Sequence, residues 1–266
     1  MGGVAWAVGA AAVMFAYECA RPAVKLGRVR GWWLRAVALN LFQVGTVFVA
    51  GLTWNRWLRG ASLLNAGSWP FLVGVIATYV FSTFVFYWWH RIRHESPFWW
   101  RVAHQIHHSV TRLELMSSFY KHPLEIWINS ILSAAIVYPI MGCTTAQGSA
   151  YTLAIAVGEM FYHWNIHTPR WAGVFFQRPE SHRLHHQKEM HSHNYADLPL
   201  WDWMFGTFSN PKNADRVLTG FGDGREEKIG AMLLTREVET ARRSEPLDFR
   251  PACFGCPKRR RCAEDA

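Results

Sequence analysis

Charge is scarce in this 266-residue chain, where Asp, Glu, Lys and Arg together make up only 18%. The stretch Trp69–Trp89 holds none of them, so it lacks the polar face a soluble amphipathic helix needs. Cysteine is sparse too. Its five copies are an odd set, and Cys19 and Cys143 lie in apolar stretches. No disulfide framework is implied, and the soluble portion is expected to face a reducing compartment. The start, Met1–Ala16, is apolar but has neither the basic segment nor the cleavage pattern of a secretory signal. Trp6 stands where a myristoylation motif carries Ser or Thr. No internal repeat, low-complexity tract, or haem-, flavin- or nicotinamide-binding motif is present.

What is abundant is apolar and aromatic. Half the residues are hydrophobic, with 15 Trp and 17 Phe, a load that suits side chains at a membrane–water boundary. Apolar stretches run over Val4–Ala16, Ala36–Trp54, Trp69–Trp89, Ile126–Met141 and Ala146–Tyr162. The third is long enough to cross a hydrocarbon core of about 30 Å. The last two, joined by Gly142–Thr145, read as a helical hairpin with both open ends on one side. The expected fold is therefore all-α, a multi-span membrane protein with a histidine-rich helical cap. Residues 1–60 form its N-terminal membrane region, 61–210 its main domain and 211–266 a C-terminal cytosolic extension.

The net charge is +9, and its basic residues adjoin the apolar spans, which indicates membrane orientation and no nucleic-acid partner. Arg21, Lys25, Arg28, Arg30 and Arg35 follow the first span, against Arg56 and Arg59 after the second. The positive-inside rule then places residues 21–35, and by counting spans the segments 90–123 and 163 onward, in the cytoplasm. All thirteen histidines fall in those two segments.

Ten of them form four groups with helical ligand spacing. HRIRH places His90 and His94 one turn apart on one helix face. HQIHH gives His104, His107 and His108, HWNIH gives His163 and His167, and HRLHH gives His182, His185 and His186. One HxxxH alone is a weak signal; two HxxHH and two HxxxH groups on one membrane face indicate a metal centre. Ten imidazoles exceed the three or four ligands of a single zinc, so two ions are expected. Imidazole suits iron, zinc and copper. Arg, Ile and Arg separate His90 from His94, which removes the glutamate base of an HExxH peptidase. The boxes also lack the bridging carboxylates usual in two-metal hydrolases.

These motifs, together with KHPLE and the run QRPESHRLHHQKEMHSHNYADLPLWDWMFGTF, resemble the fatty acid hydroxylase superfamily, in particular its bacterial sterol-desaturase-like branch. The resemblance covers about residues 70–210. It implies a non-haem di-iron centre, two iron ions held by His90, His94, His104, His107, His108, His182, His185 and His186, with His163 in the family's HxN box. His167 joins the ligand candidates through its i+4 spacing. The implied activity is hydroxylation or desaturation of a membrane lipid by O2, with electrons from an external donor, a ferredoxin or cytochrome with its reductase. A non-catalytic metal-binding membrane protein and a metal-dependent lipid hydrolase are the alternatives.

Four further residues are expected to support the ligands. Glu159, one turn before His163 in an apolar helix, is expected to orient an imidazole. His191, Asn194 and Asp202 are candidates for the same role, and His122 for helix entry before Pro123. Cys253, Cys256 and Cys262 beside KRRR fall short of a four-ligand set. That tail reads as a basic segment touching anionic lipid.

Overall fold

The computed structural model describes residues 2–190 and 192–239. Among these the chain is helical, and one isolated antiparallel bridge, Gln187 with Thr219, is its nearest approach to a sheet. His191 and the three C-terminal cysteines lie outside the described residues. Seven helices position the site: α1 (Gly2–Ala20), α2 (Trp32–Leu52), α3 (Phe71–Glu95), α4 (Pro123–Ala135), α5 (Thr145–His163), α6 (Pro179–His185) and α7 (Pro199–Phe205). α5 packs between α1 and α3, and α2 packs on α4.

Three described helices are long and apolar enough to cross a membrane, over 32–57, 71–95 and 123–140. The sequence leads one to expect five. The apolar part of α1 is the shorter run Trp6–Ala20, and α5 is not among the three. α5 carries Gln147, Thr152 and Glu159, which dilute its hydropathy. α3 has 25 residues, about 38 Å at 1.5 Å per residue. That exceeds a bilayer core, so its last turns project beyond it and carry His90 and His94.

The α4–α5 hairpin is built by local chemistry. Pro139 removes a backbone donor inside a wide turn over Ile136–Ile140. Gly142 follows at φ 68°, where a Cβ would come within 2.3 Å of the Leu64 carbonyl. Thr144 and Gln147 then form a reciprocal capping box that starts α5.

The opposite end of the bundle is tied together by buried polar contacts. Glu18 of α1, only 4% exposed, accepts from the backbone amides of Leu115 (2.9 Å) and Asn165 (2.7 Å). It thereby fixes two loops that each leave a histidine group. Trp32, Trp100, Ile106, Tyr120, Phe221 and Met232 form one apolar core under the cap. Phe221 and Met232 come from beyond residue 210, so the described part of this stretch, residues 211–239, packs into the bundle. The Gly220 amide donates to the His186 carbonyl and that of Phe221 to Ser109, each at 3.3 Å. Glu226 accepts from the amide and hydroxyl of Thr111 at 2.7 and 2.8 Å. The segment closes over the second histidine group because its apolar side chains have a core to enter.

Candidate metal centre

Nine of the ten predicted histidines converge, in two adjacent clusters. His90, His94, His104, His108 and His185 form one; His107, His163, His182 and His186 form the other. Within each, the ligand atoms lie within 4.8 Å of one another. The two HxxHH groups divide in a complementary way. In each, the i and i+4 rings share a cluster while the i+3 ring turns to the other. His107 thus leaves the group of His104 and His108, and His185 leaves that of His182 and His186. The rings of His108 and His186 stack at 4.1 Å across the boundary.

Outer hydrogen bonds fix how the rings point. Nδ1 of His90 faces the Tyr195 carbonyl at 2.7 Å and Nδ1 of His185 that of His193 at 2.6 Å. In the second cluster, Nδ1 of His163 faces the Glu159 carbonyl (2.8 Å) and Nδ1 of His107 the Tyr120 carbonyl (3.3 Å). A carbonyl can only accept, so each of these nitrogens carries the proton and each Nε2 is left with a bare lone pair. Yet Nε2 of His90 and His185 lie 3.0 Å apart, and those of His163 and His107 3.3 Å. Two lone pairs at that distance repel unless a cation sits between them. A metal with bonds of about 2.1 Å to imidazole sets ligands at right angles about 3 Å apart. Both clusters therefore fit a metal ion, and a donor set of imidazoles alone suits iron, zinc, copper or nickel and not magnesium or calcium.

Electrostatics agree. Burial, followed by neighbouring imidazoles, holds His107, His108 and His182 well below the usual histidine range. Neutral imidazole is the form that binds metal. Eight of the nine rings are buried; His90 is the partly exposed one.

His167 is a correction. α5 ends at His163, and Trp164 takes an extended backbone (ψ 128°), so the i+4 register that would have carried His167 to the cluster is lost. Its side chain is 57% exposed, with Nδ1 3.7 Å from Asp215. The expected role of Glu159 is corrected in its atom: the backbone carbonyl meets His163, while the carboxylate pairs with Lys121. Asn194 and Asp202 touch no ligand ring in the bonds seen. Asn194, at φ 57°, bonds Ser181 and Ser209 through its amide group. Asp202 accepts from the amides of Tyr195 and Ala196 and the Thr207 hydroxyl, and so fixes the loop whose carbonyl holds His90. Burial pushes its carboxyl up to about 7. His122 accepts from the Leu124 amide at 3.0 Å and caps α4.

Sequence reasoning missed Glu125. This wholly buried carboxylate pairs with Arg93 and lies 3.2 Å from His104 Nδ1, an arrangement that orients a ligand and raises its basicity. The KHPLE motif held the residue, but only the fold brings it to His104, 21 positions earlier.

The family model described as fatty acid hydroxylase matches residues 75–207. Ornithine lipid hydroxylase OlsE of Rhizobium tropici is 29% identical over 57% of this chain and 47% of its own length. Alkylglycerol monooxygenase of Xenopus tropicalis is 30% identical over 54% and 32%, and Delta(7)-sterol-C5(6)-desaturase of Nicotiana tabacum 27% identical over 60% and 59%. The chain thus spans a third to three fifths of the length of these relatives. No solved structure matches it. Because the matched segment is half of the sequence and contains every clustered histidine, this chain belongs to the fatty acid hydroxylase family.

Proposed function

We propose that this protein is a membrane oxidase that hydroxylates or desaturates a lipid, using O2 at two non-haem iron ions. The observation that carries the proposal is the pair of facing Nε2 lone pairs, one in each cluster. Bound iron supplies the dioxygen activation that side chains lack and that an unactivated C–H bond requires. The chain's own residues do the rest. Nine imidazoles hold the ions, backbone carbonyls and Glu125 fix their tautomers, and the fold keeps the centre dry.

Hydroxylation consumes one C–H bond, one O2, two electrons and two protons, and yields an alcohol and water. The electrons come from a separate ferredoxin or cytochrome with its reductase. The names of the relatives support a lipid substrate. The basic segment 21–35 supports a membrane protein whose centre faces the cytoplasm, and the Ala-, Arg- and Trp-rich composition supports a bacterial inner membrane.

The test is metal analysis and turnover on purified protein with a supplied electron donor. Two irons per chain, with O2 consumed in step with lipid oxidation, are expected. Reversible zinc or nickel binding without turnover points to a non-catalytic metal binder, and product formed without O2 to a hydrolase; either result overturns the proposal.

A further inference from the structure

Residues 221–239 lie outside the family match, 75–207, yet they form a strap that grips a segment carrying clustered histidines. That segment, Trp100–His108, opens with a wide π-type turn over Trp100–His104, an interruption of the helical ladder of a kind common at functional sites. Two of its side chains take partners from the strap. The buried indole of Trp100 donates its Nε1–H to the Glu239 carbonyl at 2.7 Å. The buried carboxamide of Gln105 donates to the Arg236 carbonyl at 2.8 Å and accepts from the Val238 amide at 3.1 Å. Its second donor reaches back along the wide turn to the Arg101 carbonyl at 2.7 Å.

The strap is itself anchored. Phe221 enters the core beside Trp100, with ring centroids 6.2 Å apart, and Arg225 pairs with Glu239. The Leu233 carbonyl accepts from Nε2 of His122 at 3.3 Å, at the start of α4 and one turn before Glu125. Trp100 also meets ligand rings. Its ring centroid lies 5.5 Å from those of His94 and His108 and 6.2 Å from that of His104. All three belong to the five-histidine cluster. Rings held in place by packing and by hydrogen bonds behind them bind metal more tightly than rings that must first be ordered. The strap therefore sits where its loss would be felt by one cluster more than by the other.

We infer that Trp100 and Gln105 are positioning residues for the five-histidine cluster, and that the strap 221–239 acts through them to hold His94, His104 and His108 ready for the ion. This rests on the metal-centre reading and requires nothing of the lipid or of O2.

The experiment titrates metal-free, full-length protein in dodecylmaltoside with Co2+, read by its visible ligand-field absorption and by metal content. The wild type is expected to take up two ions per chain. Trp100→Ala and Gln105→Leu are each expected to weaken one binding step about tenfold or more, as loss of a partner behind a metal ligand does, and to leave the other within about threefold. The same weakening persists in a His163→Ala background, which impairs the four-histidine cluster and leaves the other to be read alone. Trp100→Phe keeps an aromatic ring without the indole donor. It recovers part of the affinity lost in Trp100→Ala and supplies the reading should the Ala variant not fold. Leu39→Ala, which hollows the same apolar core from α2, is expected to lower Tm and leave both steps unchanged. Both steps weakened alike, the same selective weakening in Leu39→Ala, or unchanged affinities in Trp100→Phe and Gln105→Leu overturn the inference. A wild type that binds no Co2+ rejects the metal centre and the inference with it. Selective weakening in a protein that oxidises no lipid rejects the oxidase alone and leaves the inference standing.

Discussion

The two histidine clusters are built from the same motifs yet differ in their surroundings. The five-histidine cluster includes the one partly exposed ligand, His90, and backs His104 with the carboxylate of Glu125. The four-histidine cluster is buried throughout, and its known outer partners for His107 and His163 are backbone carbonyls. A carboxylate behind an imidazole strengthens it as a ligand more than a carbonyl does. One cluster is thus open and charge-backed, the other closed and neutral-backed. On the proposed oxidase reading, the first is the cluster expected to meet substrate.

Removing one ligand from each cluster gives the largest effect. His107→Ala leaves the closed cluster three imidazoles, and His185→Ala leaves the open one four. Both are expected to abolish lipid oxidation, and His107→Ala to lower bound iron from about two to about one per chain, read by elemental analysis. Turnover undiminished in either variant contradicts the shared centre.

Glu125→Gln probes the charge-backing alone. The amide keeps the shape but removes the carboxylate from His104 and leaves Arg93 buried without its partner. Loss of an outer partner of this kind lowers metal affinity or activity about 10- to 100-fold, and breaking the buried pair costs about 3–5 kcal/mol. The open cluster should lose iron first during chelator titration. Equal loss from both clusters would erase the contrast.

That residue also shows where sequence reading stops. The histidines were legible because their i, i+3 and i+4 spacing maps directly onto a helix face. The complementary split of the two HxxHH groups follows from helix geometry once two ions are granted. Glu125, by contrast, reaches His104 only through the packing of α4 against the second histidine segment, and the carbonyls of Tyr195, Glu159, His193 and Tyr120 carry no side-chain signature at all. The spans were legible as apolar runs, but two of the five, α1 and α5, fall short of the rest. The segment after residue 210 was misleading because its mixed composition hides Phe221 and Met232, which enter the core.

Acid should weaken the metal-free protein gradually. His107, His108 and His182 titrate well below 6.5 when folded and near 6.5 when unfolded. Below pH 6.5 the unfolded chain therefore binds protons that the folded chain does not. Their contribution to stability is full above pH 6.5 and is lost as pH falls toward the depressed folded values. Each such histidine changes stability by up to about 1.4 kcal/mol per pH unit. Denaturant melts of metal-free protein between pH 8 and 5.5 should show that slope, and flat stability across the range would contradict the burial of neutral rings.

The smallest expected effect is the sharpest check on how the clusters were assembled. His167 has the same spacing from His163 that His94 has from His90, and by sequence alone both pairs look equivalent. In α3 the helix continues through His94, and both rings enter the open cluster. In α5 the helix stops at His163, and the extended residues that follow carry His167 to the surface beside Asp215. His167→Ala should therefore leave iron content and turnover unchanged and shift stability by no more than about 0.5 kcal/mol, the range of exposed substitutions. His94→Ala, its sequence counterpart, should behave as a ligand deletion. Equal behaviour of the two variants would mean that α5 extends past His163 in the metal-bound protein and that the closed cluster draws on a fifth imidazole.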